Sequence, residues 1–166
     1  MEINKRDNIL EFNDARIVYR NFTGAPSKFN QNGERSFSVV IGNGFLDGKE
    51  LSSDEICDIL EEDGWHIKRK PPVEEGEEPF NTLPVKVKFG AGRNPAVYLD
   101  DGVGIKQISE DLVSMIDDLN ISSVDMDIRP YNWTMGNNSG TTAYLQSMCV
   151  KFIPDRFAAR MNNVEE

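Results

Sequence analysis

Apolar and polar positions alternate most regularly along Ser123–Ile153. Val124, Met126 and Ile128 interleave with Asp125, Asp127 and Arg129, so with a side-chain period of two the first set faces a core and the second faces water. Carried past Pro130, the same parity adds Tyr131 and Trp133 to the water face. A proline can end a regular strand, in which case both rings would pack under a loop instead. The stretch Gly136-Asn137-Asn138-Ser139-Gly140 tolerates positive φ and predicts a reversal that pairs Arg129–Trp133 with Thr141–Met148. A reversal centred between Asn137 and Asn138 sets Tyr144 opposite Tyr131. One whole residue further sets it opposite Trp133, and a half-step sends it into the core. Large aromatics beside an arginine on a solvated face run against the usual inside preference and read as a stacking surface.

The remaining pattern supplies the frame. Phe12–Phe22 reads as a strand with Ala15, Ile17 and Tyr19 on one side and Arg16, Val18 and Arg20 on the other. The loop NFTGAPSKFNQNGE follows, in which Phe29 stands between Lys28 and Asn30 and either pins the loop or stacks on a base. Phe37, Val39 and Ile41 alternate in the next strand, and Gly42–Gly48 forms a turn. Ser52 or Ser53 caps a helix over Ser53–Glu62 with the stripe Ile56, Ile59 and Leu60, ended by Gly64. Trp65–Lys70 is a short strand, and PPVEEGEEPFN, without periodicity, predicts a mobile loop near 71–81. Leu83–Phe89 and Pro95–Leu99 read as strands joined in a hairpin through Gly90–Asn94. A second helix over Glu110–Asp118, capped by Ser109, turns Leu112, Val113, Ile116 and Leu119 inward, and 154–166 reads as a short helix and frayed end.

These elements predict one mainly β domain over 1–166, a β-barrel with two helices packed outside it. With the first helix and its following strand taken as an insertion, the order strand, strand, strand, helix, strand, strand is that of an OB-fold. Such barrels bind oligonucleotides on strands 2–3 and at the loops joining strands 1–2 and 4–5. Both aromatic-rich irregular stretches fall in those two loops.

Charge changes the picture. A formal net charge of −10 argues against a simple nucleic-acid binder, yet the carboxylates concentrate in 54–63, 74–78 and 110–118. The cations concentrate in extended segments, at Arg16, Arg20, Lys68, Lys70, Lys86 and Lys88, with Arg35 closing the first long loop. Lys86 and Lys88 leave the same face of one strand, so the sheet can be basic on an acidic molecule. The same charge supports a competing reading, an acidic interaction protein or DNA mimic that inhibits a host nucleic-acid enzyme. An enzyme is disfavoured: Asp125 and Asp127 share a strand face, but carboxylates there also discourage edge pairing, and His66 has no nucleophile at a telling spacing. Cys57 and Cys149 lack metal-ligand spacing, so no metal or cofactor is expected. No apolar run reaches membrane-spanning length, and MEINKRDNILEF lacks a signal peptide's apolar segment, which predicts a cytoplasmic protein.

The segments FTGAPSKFNQNGERSFSVVI, DGWHIKRKPP, LPVKVKF and VDMDIRPYNW, followed by GTTAYLQSM, resemble phage-encoded single-stranded DNA-binding proteins from Phe22 to Met148. The resemblance implies an OB-type accessory of phage DNA replication or recombination that coats single strands in the cytoplasm of the infected bacterium. Its partners would be single-stranded DNA and phage or host replication and recombination proteins, with no membrane and no catalysis. Bacterial single-strand binders end in a long acidic recruitment tail, whereas this chain closes on the short NNVEE. On this reading Arg16, Arg20, Arg35, Lys68, Lys70, Lys86, Lys88 and Arg129 track phosphates, and Trp133, Tyr131, Tyr144 and Phe29 stack on bases.

Overall fold

The computed structural model describes residues 1–155. Its strands are β1 (Glu2–Arg6), β2 (Ile9–Ala15), β3 (Ile17–Asn21), β4 (Arg35–Val40), β5 (Gly44–Leu46), β6 (Lys49–Leu51), β7 (Thr82–Val87), β8 (Ala96–Asp100), β9 (Ile105–Ile108), β10 (Ile121–Met135) and β11 (Asn138–Phe152). An α-helix, α1 (Ser53–Glu62), follows β6, and a 3-10 helix, Glu110–Asp118, follows β9. Among the described residues the fold is thus mainly β with two helices. The terminal helix expected over 154–166 falls, from 156 on, outside the described residues.

The strands form one sheet in the order β3-β4-β7-β11-β10-β2-β1-β5-β6, with β8 on β11 and β9 on β8. Among the described residues no ladder closes this sheet. The ring is completed along the chain, because β2 pairs with β10, β3 pairs with β4, and the two are halves of one strand bent at Arg16. With β7 running parallel to β11, the path 1-2-3-5-4-1 of a partly open OB barrel results. Phe12, Phe22, Phe37, Ile41, Leu83 and Ile128 fill its interior, and the Phe22 and Phe37 rings stack 5.4 Å apart. Ser52 and Glu55 close a capping box at the start of α1, which buries Ile56, Cys57 and Leu60, and Gly64 follows its end at φ 97°.

Several expectations are corrected. The residues before Phe12, to which no element was assigned, begin the sheet: β1 and β2 form a hairpin through Asp7 and Asn8, both at positive φ, the requirement of a tight two-residue turn. Gly42–Gly48 is more than a turn, since it contains β5, which pairs with β1 and β6. Tyr19 does not face the core. It sits at φ 53° where the β3–β4 register slips, and is 69% exposed. Gly90–Asn94 is not a hairpin connection, because β7 and β8 both run parallel to β11 and occupy successive stretches of its edge. The Asn94 side chain accepts the Gly90 N–H (2.7 Å) and braces a detour instead of a reversal. In the 3-10 helix Ser109 holds the N-cap position without a side-chain bond. The tighter three-residue turn moves Leu112 out of the apolar stripe, leaving it 50% exposed. At the end of the 71–81 segment Asn81 is buried and its amide donates to Ser53 Oγ (2.9 Å) and Asp54 Oδ1 (3.0 Å).

Candidate nucleic-acid interface

The candidate interface is built on the β10–β11 hairpin. Its reversal is a two-residue turn at Gly136 and Asn137, which sets Trp133 opposite Gly140, Tyr131 opposite Thr142 and Arg129 opposite Tyr144. The reversal therefore lies one residue earlier than the first predicted register and two earlier than the second, in both cases by whole steps, so Tyr144 keeps the outer parity. Alternation survives Pro130: Val124, Met126 and Ile128 are buried, and Tyr131 and Trp133 are 54% and 38% exposed. Tyr131 and Tyr144 meet edge to face with centroids 5.9 Å apart, and the Arg129 guanidinium lies 5.1 Å over the Tyr144 ring. Such packing orders both rings before any ligand arrives. The Trp133 indole rests on the backbone of Gly140, where a Cβ would stand 2.7 Å from its Cζ2 atom.

Cations flank these rings on the next strands. On β7, Val85 and Val87 point inward and Lys86 outward, and Lys86 pairs across with Tyr144 on one side and Ser36 on the other. The β7–β11 ladder spans only Ala143–Tyr144. Beyond it the strands part, opening a cleft of about 530 Å³ lined by Trp65, His66, Pro84, Lys86, Trp133 and Thr142, among others. A smaller cleft of about 200 Å³ continues past Tyr144 between Lys86, Lys88, Phe89, Arg35 and Glu34. Lys68 exchanges backbone bonds with Thr82, and Lys70 with Phe80. That register places Lys68 on the face that carries Pro84 and Lys86. The face is partly self-neutralised, since Lys86 lies 3.5 Å from Glu34 and Arg35 lies 2.9 Å from Glu110. Arg35 also donates from Nε to the Phe22 carbonyl (2.9 Å) and covers the Phe89 ring.

The loop between β3 and β4 borders the face at its other end. Asn30 organises it, donating to the carbonyls of Ala25 and Glu34 and accepting the Glu34 N–H. Asp117 of the 3-10 helix anchors its base by accepting the N–H groups of Phe22 and Thr23 and the Thr23 hydroxyl. Phe29 does not pin this loop. It stands 94% exposed at the tip.

Of the residues expected at the site, Arg129, Tyr131, Trp133, Tyr144, Lys86, Lys88 and Arg35 share one surface, with Phe29 at its rim; Lys68 and Lys70 lie beside it on a segment that, against the expected strand over Trp65–Lys70, forms only an isolated bridge from Lys68 to Thr82 and backbone bonds from Lys70 to Phe80. Arg16 and Arg20 are not brought there. Arg20 closes the 3-10 helix, donating from Nη1 to the carbonyls of Ile116 (2.7 Å) and Leu119 (2.8 Å), and Arg16 is exposed over a separate cleft with Asn120 and Ser122. The bend between β2 and β3 turns both away from the β4–β7 face. Asp125 is engaged by Lys151 (3.0 Å) and by the Asp14 N–H, and its carboxylate raises the Lys151 pKa. Gly140 and Asp117 went unrecognised in the sequence. Gly140 carried a signal only as a turn residue, and Asp117 only as part of an acidic helix face.

A partly open OB barrel whose outer strands present aromatic rings between cations has the construction of sequence-tolerant single-strand binders. Over residues 2–166 the sequence matches the family model "Putative phage ssDNA-binding domain", and the chain belongs to that family. Among solved structures it is similar to the single-stranded DNA-binding protein from bacteriophage Enc34. With the C-terminally truncated form the TM-score is 0.54 at 14% identity, covering 90% of this chain and 88% of that one. With the form in complex with ssDNA it is 0.53 at 13% identity, covering 92% and 90%. Among curated proteins none matches.

Proposed function

We propose that this protein binds single-stranded DNA in phage DNA replication or recombination, without catalysis, in the cytoplasm of the infected host. The observation that carries the mechanism is the ordered cluster of Tyr131, Tyr144 and Arg129 beside the exposed Trp133, all on one strand face with Lys86. Bases stack on the rings at about 1–3 kcal/mol each, and Lys68, Lys70, Lys86, Lys88, Arg35 and Arg129 take the phosphates. Every base has a π-face, so discrimination between sequences is slight. The DNA-mimic alternative is weakened at α1, where Arg69 pairs with Asp58 and Glu61 at 2.6 and 2.5 Å and offsets part of the helix's negative charge.

The test is a titration with oligo(dT) followed by tryptophan emission. Trp65 is buried and Trp133 exposed, and both line the same cleft. Strong quenching that falls with salt supports the reading. An unchanged spectrum at low salt, with no retardation of the oligonucleotide, refutes it.

A further inference from the structure

We propose that Arg93 and Arg129, with the carboxamides of Asn94 and Gln146, form a further phosphate subsite that carries the DNA backbone past Tyr144; it rests on the single-strand reading above. These residues line a concave site of about 280 Å³ together with Pro95 and Leu145. Its walls come from two irregularities. The register slip between Asp127 and Ile128 leaves Gln146 without a partner on β10, and its side chain is exposed. The detour from β7 to β8 keeps Arg93 beside β11, because both flanking strands pair with that strand. Gly90 and Gly92, at φ 81° and 90°, permit the detour.

The lining is chemically one-sided. It holds two guanidinium groups and two carboxamides, and no carboxylate. Among the described residues neither arginine has a carboxylate partner. Arg129 holds its guanidinium carbon 5.1 Å over the Tyr144 ring and has N–H donors to offer an acceptor, and Asn94 accepts through Oδ1, which leaves its amide N–H groups. Planar cationic forks beside amide donors suit a phosphodiester anion. The subsite begins one residue along β11 from Tyr144, so a strand whose base stacks there has its next phosphates within reach.

The experiment measures binding of oligo(dT) of about 4 and about 16 nucleotides, the span of single OB-fold sites, across a salt series. It compares the wild type with Arg93→Ala, Arg93→Glu, Arg93→Lys and, as a control, Lys49→Ala on the distant β6. Arg93→Ala is expected to weaken binding of the long oligonucleotide and to lower the slope of log K against log salt by about 0.7, one phosphate contact to a single strand. Arg93→Glu weakens it further, Arg93→Lys restores the slope, and the short oligonucleotide and Lys49→Ala stay at wild-type values. Wild-type affinity and slope for Arg93→Ala at both lengths, while Trp133→Ala weakens binding, overturn the subsite and leave the single-strand reading intact. Absence of binding by the wild type overturns both.

Discussion

Trp133 and Val124 lie on one strand with opposite parity, and each makes a separate prediction. Trp133→Ala removes an exposed stacking ring, so it should weaken single-strand binding by about 1–3 kcal/mol and leave the thermal unfolding midpoint unchanged. The indole's seat matters as much as the indole. Gly140→Val places a branched side chain where a Cβ already stands 2.7 Å from the ring, so it should displace Trp133, shift its emission and reduce oligo(dT) affinity in parallel with Trp133→Ala. Val124 is wholly buried. Val124→Ala opens a small void and should cost about 1–3 kcal/mol of stability, read as a lower urea midpoint, with binding intact in the folded fraction. If Trp133→Ala unfolds the protein and Val124→Ala does not, the two faces of β10 have been exchanged.

At the scale of the element, what decides the interface is how irregular segments are tied to regular ones. The β3–β4 loop hangs from Asp117 by three hydrogen bonds. Asp117→Ala leaves the Phe22 N–H part-buried without its acceptor, so about 1–3 kcal/mol of stability should be lost. Faster amide exchange at Phe22 and Thr23 would show the loop untied, and weaker binding would follow if Lys28–Phe29 contribute. At the start of α1, the Glu55 carboxylate is held below its ordinary value of 4.5 by hydrogen bonds with Ser52. A depressed folded pKa stabilises above the unfolded value and loses that contribution as pH falls through the folded one. Urea midpoints of wild type and Glu55→Gln should therefore differ at neutral pH and converge in acid. The elements themselves were legible wherever side chains keep a period, as in β10, β11, β4 and α1. The anchoring was not, because Asp117 is 95 positions from Phe22 and nothing local distinguishes it from Asp118. The β1–β2 hairpin had a signal in Asp7-Asn8 between short alternating runs. The course of β8 had none, since a glycine-rich connection serves a reversal and a detour equally well.

For the whole molecule the question is how an acidic protein holds a polyanion. The net charge of −10 repels DNA at long range, so attraction must come from a localised strip at separations near the Debye length, ~8–10 Å at physiological salt. Within that strip the protein's own carboxylates occupy two cations before DNA arrives, Glu34 on Lys86 and Glu110 on Arg35. A phosphate at Lys86 must displace Glu34. The exposed pair is worth only about 0–1 kcal/mol, which makes the exchange easy and reversible. Glu34→Gln should consequently tighten oligo(dT) binding by up to about 1 kcal/mol at low salt, with the gain shrinking as salt rises, while Lys86→Ala weakens binding and flattens the salt slope by about 0.7. In the double variant the Glu34→Gln gain should vanish, because no ammonium remains to be released. A gain that persists without Lys86 would mean that Glu34 acts through the general field of the molecule, and that the phosphate path runs elsewhere on the face.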